Sequence, residues 1–171
     1  ATPFASDIRL ANYDFSVQLF KQLSHVGNKT SNPANVFLSP ASISLVLAMC
    51  YLGADGQTKS QMKSKLYGSG GEDDDVKAWS RKVLEFAGEK SEKYKLRFAD
   101  RIYLNEKFRL KDDYVDTIQK VFNASVLNGN FETDGGRISS EVNSWVEKVT
   151  ACTYSKMMSI MHERDSLSSR N

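Results

Sequence analysis

Cysteine, proline and histidine are all scarce in this chain of 171 residues, which has two, three and two of them. Cys50 and Cys152 are too few for a disulfide scaffold, and no disulfide is expected. His25 falls in a loop and His162 in a polar tail, without zinc-type spacing. No nucleophile elbow, phosphate loop or dinucleotide fingerprint occurs, so an enzyme is not expected, nor a cofactor or a metal. No apolar run approaches the ~18 residues of a membrane span, and the start, ATPFASDIRL, lacks the basic and apolar regions of a signal peptide. Because it opens on Ala1, a mature or trimmed form is expected, so secretion stays open. A net charge of +2 with 26% charged residues predicts no strong attraction to nucleic acid or to a membrane.

What is present centres on residues 35–61, NVFLSPASISLVLAMCYLGADGQTKSQ. Val36-Phe37-Leu38 is a short β-favouring run that ends at Ser39-Pro40, a helix N-cap followed by proline where its missing N–H costs nothing. From Ile43 to Leu52 there is no charge and no polar stripe, which predicts a helix covered on all sides, with Cys50 buried as a small apolar residue. Gly53 suits a left-handed cap, and Thr58-Lys59-Ser60-Gln61 has the capping-box spacing that opens a second helix ending near Tyr67.

Elsewhere, periodicity does the sorting. Ala11, Phe15, Leu19 and Leu23 recur at helical spacing and predict an amphipathic helix from about Asp7 to Leu23. Residues 68–75 form a glycine-rich, acidic link, and Glu72–Asp75 lack the alternating ligand pattern of a calcium loop. Val76, Trp79, Val83 and Phe86 share one face of a helix running to about Ala87, with carboxylates favourably placed before its N-terminus. Period two from Leu96 to Asn105 predicts a strand, although Asp100 falls on its apolar side and needs a donor or water. A short helix follows with Tyr114, Ile118, Val121 and Phe122 inward, then a strand over residues 124–131, then a helix carrying Ile138, Val142, Trp145, Val146 and Val149. Asn28-Lys29-Thr30 and Asn123-Ala124-Ser125 are N-glycosylation sequons, the second at a junction where partial burial would hinder its use.

Asn35-Val36-Phe37-Leu38-Ser39-Pro40-Ala41-Ser42-Ile43, followed by Tyr51-Leu52-Gly53-Ala54-Asp55-Gly56-Gln57-Thr58, is similar to the signature of the serpins, a family of serine protease inhibitors. Asn143-Ser144-Trp145-Val146-Glu147-Lys148-Val149-Thr150 resembles the family's helix F. This resemblance implies an α+β fold, the N-terminal part of a serpin domain. That part runs from helix A through helix F, with the last strand of sheet B and strands 1 and 2 of sheet A. Residues 1–150 belong to it by this reading, and 151–171 are expected to be a disordered, non-family tail. Ser39 and Ser42 match the family's shutter serines, structural residues with a place in a buried hydrogen-bond network.

The resemblance also implies how such a protein works. A protease attacks an exposed reactive loop, the loop inserts into sheet A, and the acylated protease is dragged along and distorted. The loop and its reactive bond have no counterpart in these residues. The expectation is therefore a truncated serpin, a splice product or similar, extracellular or alternatively cytoplasmic, that does not inhibit a serine protease alone and tends to self-associate. The alternative is an interaction module for a polypeptide or a glycosaminoglycan. Lys77, Arg81 and Lys82, with Lys90, Lys93, Lys95, Arg97 and Arg101, are its candidate polyanion contacts, interleaved with Glu85, Glu89 and Glu92.

Overall fold

The computed structural model describes residues 6–27, 35–68, 71–89 and 98–150. The chain divides into two compact units, one of residues 1–100 and 111–124, the other of residues 101–110 and 125–171. The elements run α1 (Ser6–Gly27), α2 (Pro40–Gly53), α3 (Gly56–Leu66), α4 (Asp73–Gly88), β1 (Arg101–Asn105), α5 (Asp112–Phe122), β2 (Ser125–Gly129) and α6 (Gly135–Val149).

In the first unit α2 is central, touching α1, α3, α4 and α5. It starts as the sequence predicts: Ser39 sits in extended conformation at the N-cap, and Pro40 opens the helix. Its end is different. Gly53 is an ordinary helical residue and Ala54 caps in extended conformation. The glycine is needed for space, because a Cβ there would lie 2.9 Å from Cε2 of Tyr114. That ring is pinned by its hydroxyl, which donates to the Met49 carbonyl at 3.0 Å. Asp55 then caps α3, accepting from the Gly56 N–H at 2.8 Å, so the helix begins ahead of the capping box expected at Thr58.

Three further expectations change. Residues 35–39 are not in a strand: a strand needs a ladder partner, and none stands beside Val36–Leu38 among the described residues. One face of α2 is covered, with Ser44, Leu45, Ala48, Met49 and Tyr51 buried, while Ile43 and Val46 on the other face are 37% and 45% exposed. Cys50 shares that second face and is exposed. Apolar composition says that a helix can be buried all round, but only neighbours bury it. Finally, Asp73–Asp75 are no link but the first turn of α4, where their negative charge interacts favourably with the positive end of the helix dipole.

Helix α5 packs Ile118, Val121 and Phe122 inward and ends at Asn123, whose φ of 52° is the left-handed conformation that asparagine tolerates. The Asn123 and Ala124 N–H groups donate to the Gln119 and Ile118 carbonyls, closing the helix end.

In the second unit β1 and β2 form a two-stranded parallel sheet, with Arg101 opposite Ser125 and Asn105 opposite Gly129. The first strand is shorter than expected: residues 98–100 are not in it, and 90–97 lie outside the described residues. Burial pushes the Asp100 carboxyl above its ordinary value. Ile138 of α6 is buried against Gly129, where a Cβ would come within 2.6 Å of its Cδ1. Arg101 stacks over Trp145 at 4.5 Å and donates to the Tyr103 hydroxyl at 3.2 Å, with Glu141 beside both.

Candidate functional site

The serines at the start of α2 are brought together, but near the surface. Their hydroxyl oxygens are 2.9 Å apart, and the Ser42 N–H donates to Ser39 Oγ at 3.4 Å. Ser39 is exposed and Ser42 half-buried. The buried serine of α2 is Ser44, 4% exposed, which accepts from Asn12 Nδ2 of α1 at 2.6 Å. Nothing within ten residues of Ser44 signals that pair, since its two members are 32 positions apart. Beside Ser39 and Ser42 lies apolar surface: Phe37 is 91% exposed, and Ile43, Val46 and Cys50 continue along α2.

A second constellation, missed in the sequence, lies where α3 meets α4. Lys59 donates to Asp73 at 2.7 Å and Lys63 to Glu72 at 2.5 Å, so the acidic run is tied down by lysines spaced one turn apart on α3. An open cleft of about 600 Å³ runs between them, floored by Tyr51. The Tyr51 hydroxyl donates to the Gly71 carbonyl at 3.0 Å, and the ring meets Tyr67 edge-on at 5.0 Å. Lys59 lies 5.2 Å over the Tyr51 ring. Burial, with the negative charges of Asp73 and Glu72 behind it, pushes the Tyr51 phenol up to about 12. Burial alone would raise the Asp73 carboxyl, but the hydrogen bond and charge of Lys59 hold it below its ordinary value.

The candidate polyanion residues do not share one environment. Lys77 is half-buried and donates to Asp74 at 3.1 Å one turn earlier. Arg81 and Lys82 are exposed, and Lys82 leans over a different surface, lined by Arg9, Trp79, Val83 and Phe86. Arg101 is engaged with Trp145 and Glu141, while Lys90, Lys93, Lys95 and Arg97 lie outside the described residues. Of the sequons, Asn28 also lies outside them, and Asn123 is exposed at the end of α5.

The order of these elements has a counterpart among known proteins. The family model for Serpin (serine protease inhibitor) matches residues 10–168. The chain belongs to the serpin family. As a serpin it is 35% identical over 138 residues to Ipis-1 of Ixodes persulcatus, which covers 80% of this chain and 35% of that protein. It is 30% identical over 140 residues to the leukocyte elastase inhibitor of Equus caballus, covering 82% and 35%. Emu ovalbumin superposes with a TM-score of 0.77 at 25% identity, over 90% of this chain and 42% of that one. This serpin chain thus spans about a third of the length of the curated relatives it matches. Its fold is the helix-rich N-terminal part of the family fold with a small sheet. The family match also runs past Thr150, through most of the segment that the sequence reading sets apart as a tail.

Proposed function

We propose that these residues are the helical frame of a serine protease inhibitor, non-enzymatic, and that by themselves they do not inhibit. In this reading 1–150 is the frame, and Ser39 and Ser42 are its half of a structural hydrogen-bond network whose other half lies elsewhere in the family fold. The observation that carries it is the pairing of a specific family match with a span of only about a third of the matched relatives. The exposed ridge of Phe37, Ile43, Val46 and Cys50 supports it, because an apolar face of that kind is built to be covered. The protein is extracellular in this reading, with Asn123 as the described candidate for a glycan. The test is incubation of the 171-residue chain with a panel of serine proteases, followed by denaturing electrophoresis and assay of residual protease activity. No adduct and full protease activity are expected; a stable covalent adduct would overturn the second half of the proposal.

A second reading, an interaction module for a sulfated polysaccharide, is favoured by the exposure of Arg81 and Lys82 on α4. The Lys77–Asp74 pair and the acidic first turn weaken it. Elution from heparin at or below physiological salt is expected. Retention beyond it, lost in Arg81→Ala with Lys82→Ala, would favour the second reading over the first.

A further inference from the structure

Helix α1 carries two apolar faces, and its own unit covers one of them. Ile8, 1% exposed, and the half-buried Phe15 and Leu19 lie on the covered side, where Asn12 reaches Ser44 of α2. On the opposite side Leu10, Tyr13 and Phe20 are 64%, 70% and 51% exposed, with the half-buried Val17 among them. These four residues follow one another at intervals of three, four and three. That is the heptad spacing of a and d positions, a narrow seam shaped for another helix, with Leu10 and Val17 at a and Tyr13 and Phe20 at d.

The flanks of the seam say which helix fits. Arg9 takes a g position and Asp14 an e position; both are exposed, and neither side chain has a partner among the described residues. In a parallel, in-register pair the g residue of one helix meets the following e residue of the other. Arg9 of each copy then faces Asp14 of the second copy, twice over by the twofold symmetry. An antiparallel pair with the same a and d layers sets Asp14 against Asp14 instead, a like-charge contact. We propose that the outer face of α1 is where two copies of this chain pair, parallel and in register, with Leu10, Tyr13, Val17 and Phe20 as the seam and Arg9 and Asp14 fixing its orientation. From Arg9 to Lys21 the seam is roughly 18 Å long, which is short of a standard interface of roughly 1,200–2,000 Å², so the dimer is weak and reversible. It uses none of the residues of the α2 ridge, and it stands whether or not the frame proposal does.

The experiment is sedimentation velocity on the 171-residue chain carrying Val46→Lys, which takes the α2 ridge out of the competition, under reducing conditions. With that chain as the parent, a reversible monomer–dimer equilibrium is expected. Arg9→Glu and Asp14→Arg each place two like-charge contacts across the seam, and each should weaken dimerisation about tenfold. The double variant restores both attractions and should return to within about threefold of the parent. Leu10→Gln combined with Tyr13→Gln should abolish the dimer. A monomer at every concentration, a dimer indifferent to both charge reversals, or a double variant as weak as the single ones would overturn the proposal. So would weakening by Asp14→Arg without weakening by Arg9→Glu, which marks an antiparallel pair. Should the double variant fail to fold, an equimolar mixture of the two single variants decides: their charges are complementary, so the mixture must dimerise more tightly than either alone, and no gain on mixing overturns the proposal.

Discussion

Gly71→Ala should be among the most damaging single-methyl changes in the first unit. A Cβ at Gly71 would stand 2.2 Å from Cβ and 2.9 Å from Cγ of Tyr67. Cβ is the root of the tyrosine side chain, so no χ rotation moves it away and the backbone itself must shift. Tyr67 has little room to follow, being 2% exposed and packed edge-on against Tyr51. A shift of the Gly71 carbonyl also removes the acceptor of the Tyr51 hydroxyl, now 3.0 Å away. Overpacking costs roughly 1–3 kcal/mol and a buried hydroxyl without its partner roughly 1–3 kcal/mol more. The sum, about 2–6 kcal/mol, is a large share of a typical net stability of about 5–15 kcal/mol, and corresponds to a Tm lower by roughly 4–24 °C. Circular dichroism melts of Gly71→Ala, Tyr51→Phe and the parent measure it. Tyr51→Phe loses the hydrogen bond without the clash and should fall between the other two. A Gly71→Ala melt within about a degree of the parent, or no lower than that of Tyr51→Phe, would refute the reasoning.

Two other outcomes follow from the same unit. The Tyr51 phenol is raised in the folded chain from 10.0 to about 12, so its stabilisation is complete below about pH 10 and is lost as pH rises through about 12. The effect is on the order of 2–3 kcal/mol; urea midpoints from about pH 8 to 12 should fall, less steeply in Tyr51→Phe, and an identical slope in that variant would contradict the assignment. Tyr67 and Tyr114, also raised by burial, act in the same direction, so part of the slope remains in Tyr51→Phe. The uncovered ridge of Phe37, Ile43 and Val46 should make the isolated chain self-associate, and Val46→Lys should reduce it. Sedimentation velocity tests this, and a monodisperse monomer across a wide concentration range would exclude it.

Much of the fold was legible without coordinates. Ser39-Pro40, the period of α4 and α5, and the inward Ile118, Val121 and Phe122 were readable because caps and amphipathic faces are settled within a few residues by hydrogen bonds and turn geometry. The signature around Ser39 and Ser42 was enough to point to the family. The candidate site was less legible. Lys77, Arg81 and Lys82 lie within six residues of chain, yet one is paired with Asp74 and another borders an apolar cleft.

The sequence by itself determined that these helices form, the start of α2 at Ser39-Pro40, which side chains each could bury, and the family. Only the tertiary structure decided which of two apolar faces of α2 is covered, leaving Ile43, Val46 and Cys50 outside. It alone explained Gly53 by Tyr114 and Gly71 by Tyr67, joined Asn12 to Ser44, and turned the acidic run into ion pairs with Lys59 and Lys63. The division has a physical cause: a helix forms from groups a turn apart, whereas burial, steric exclusion and charge pairing depend on partners that only folding brings near.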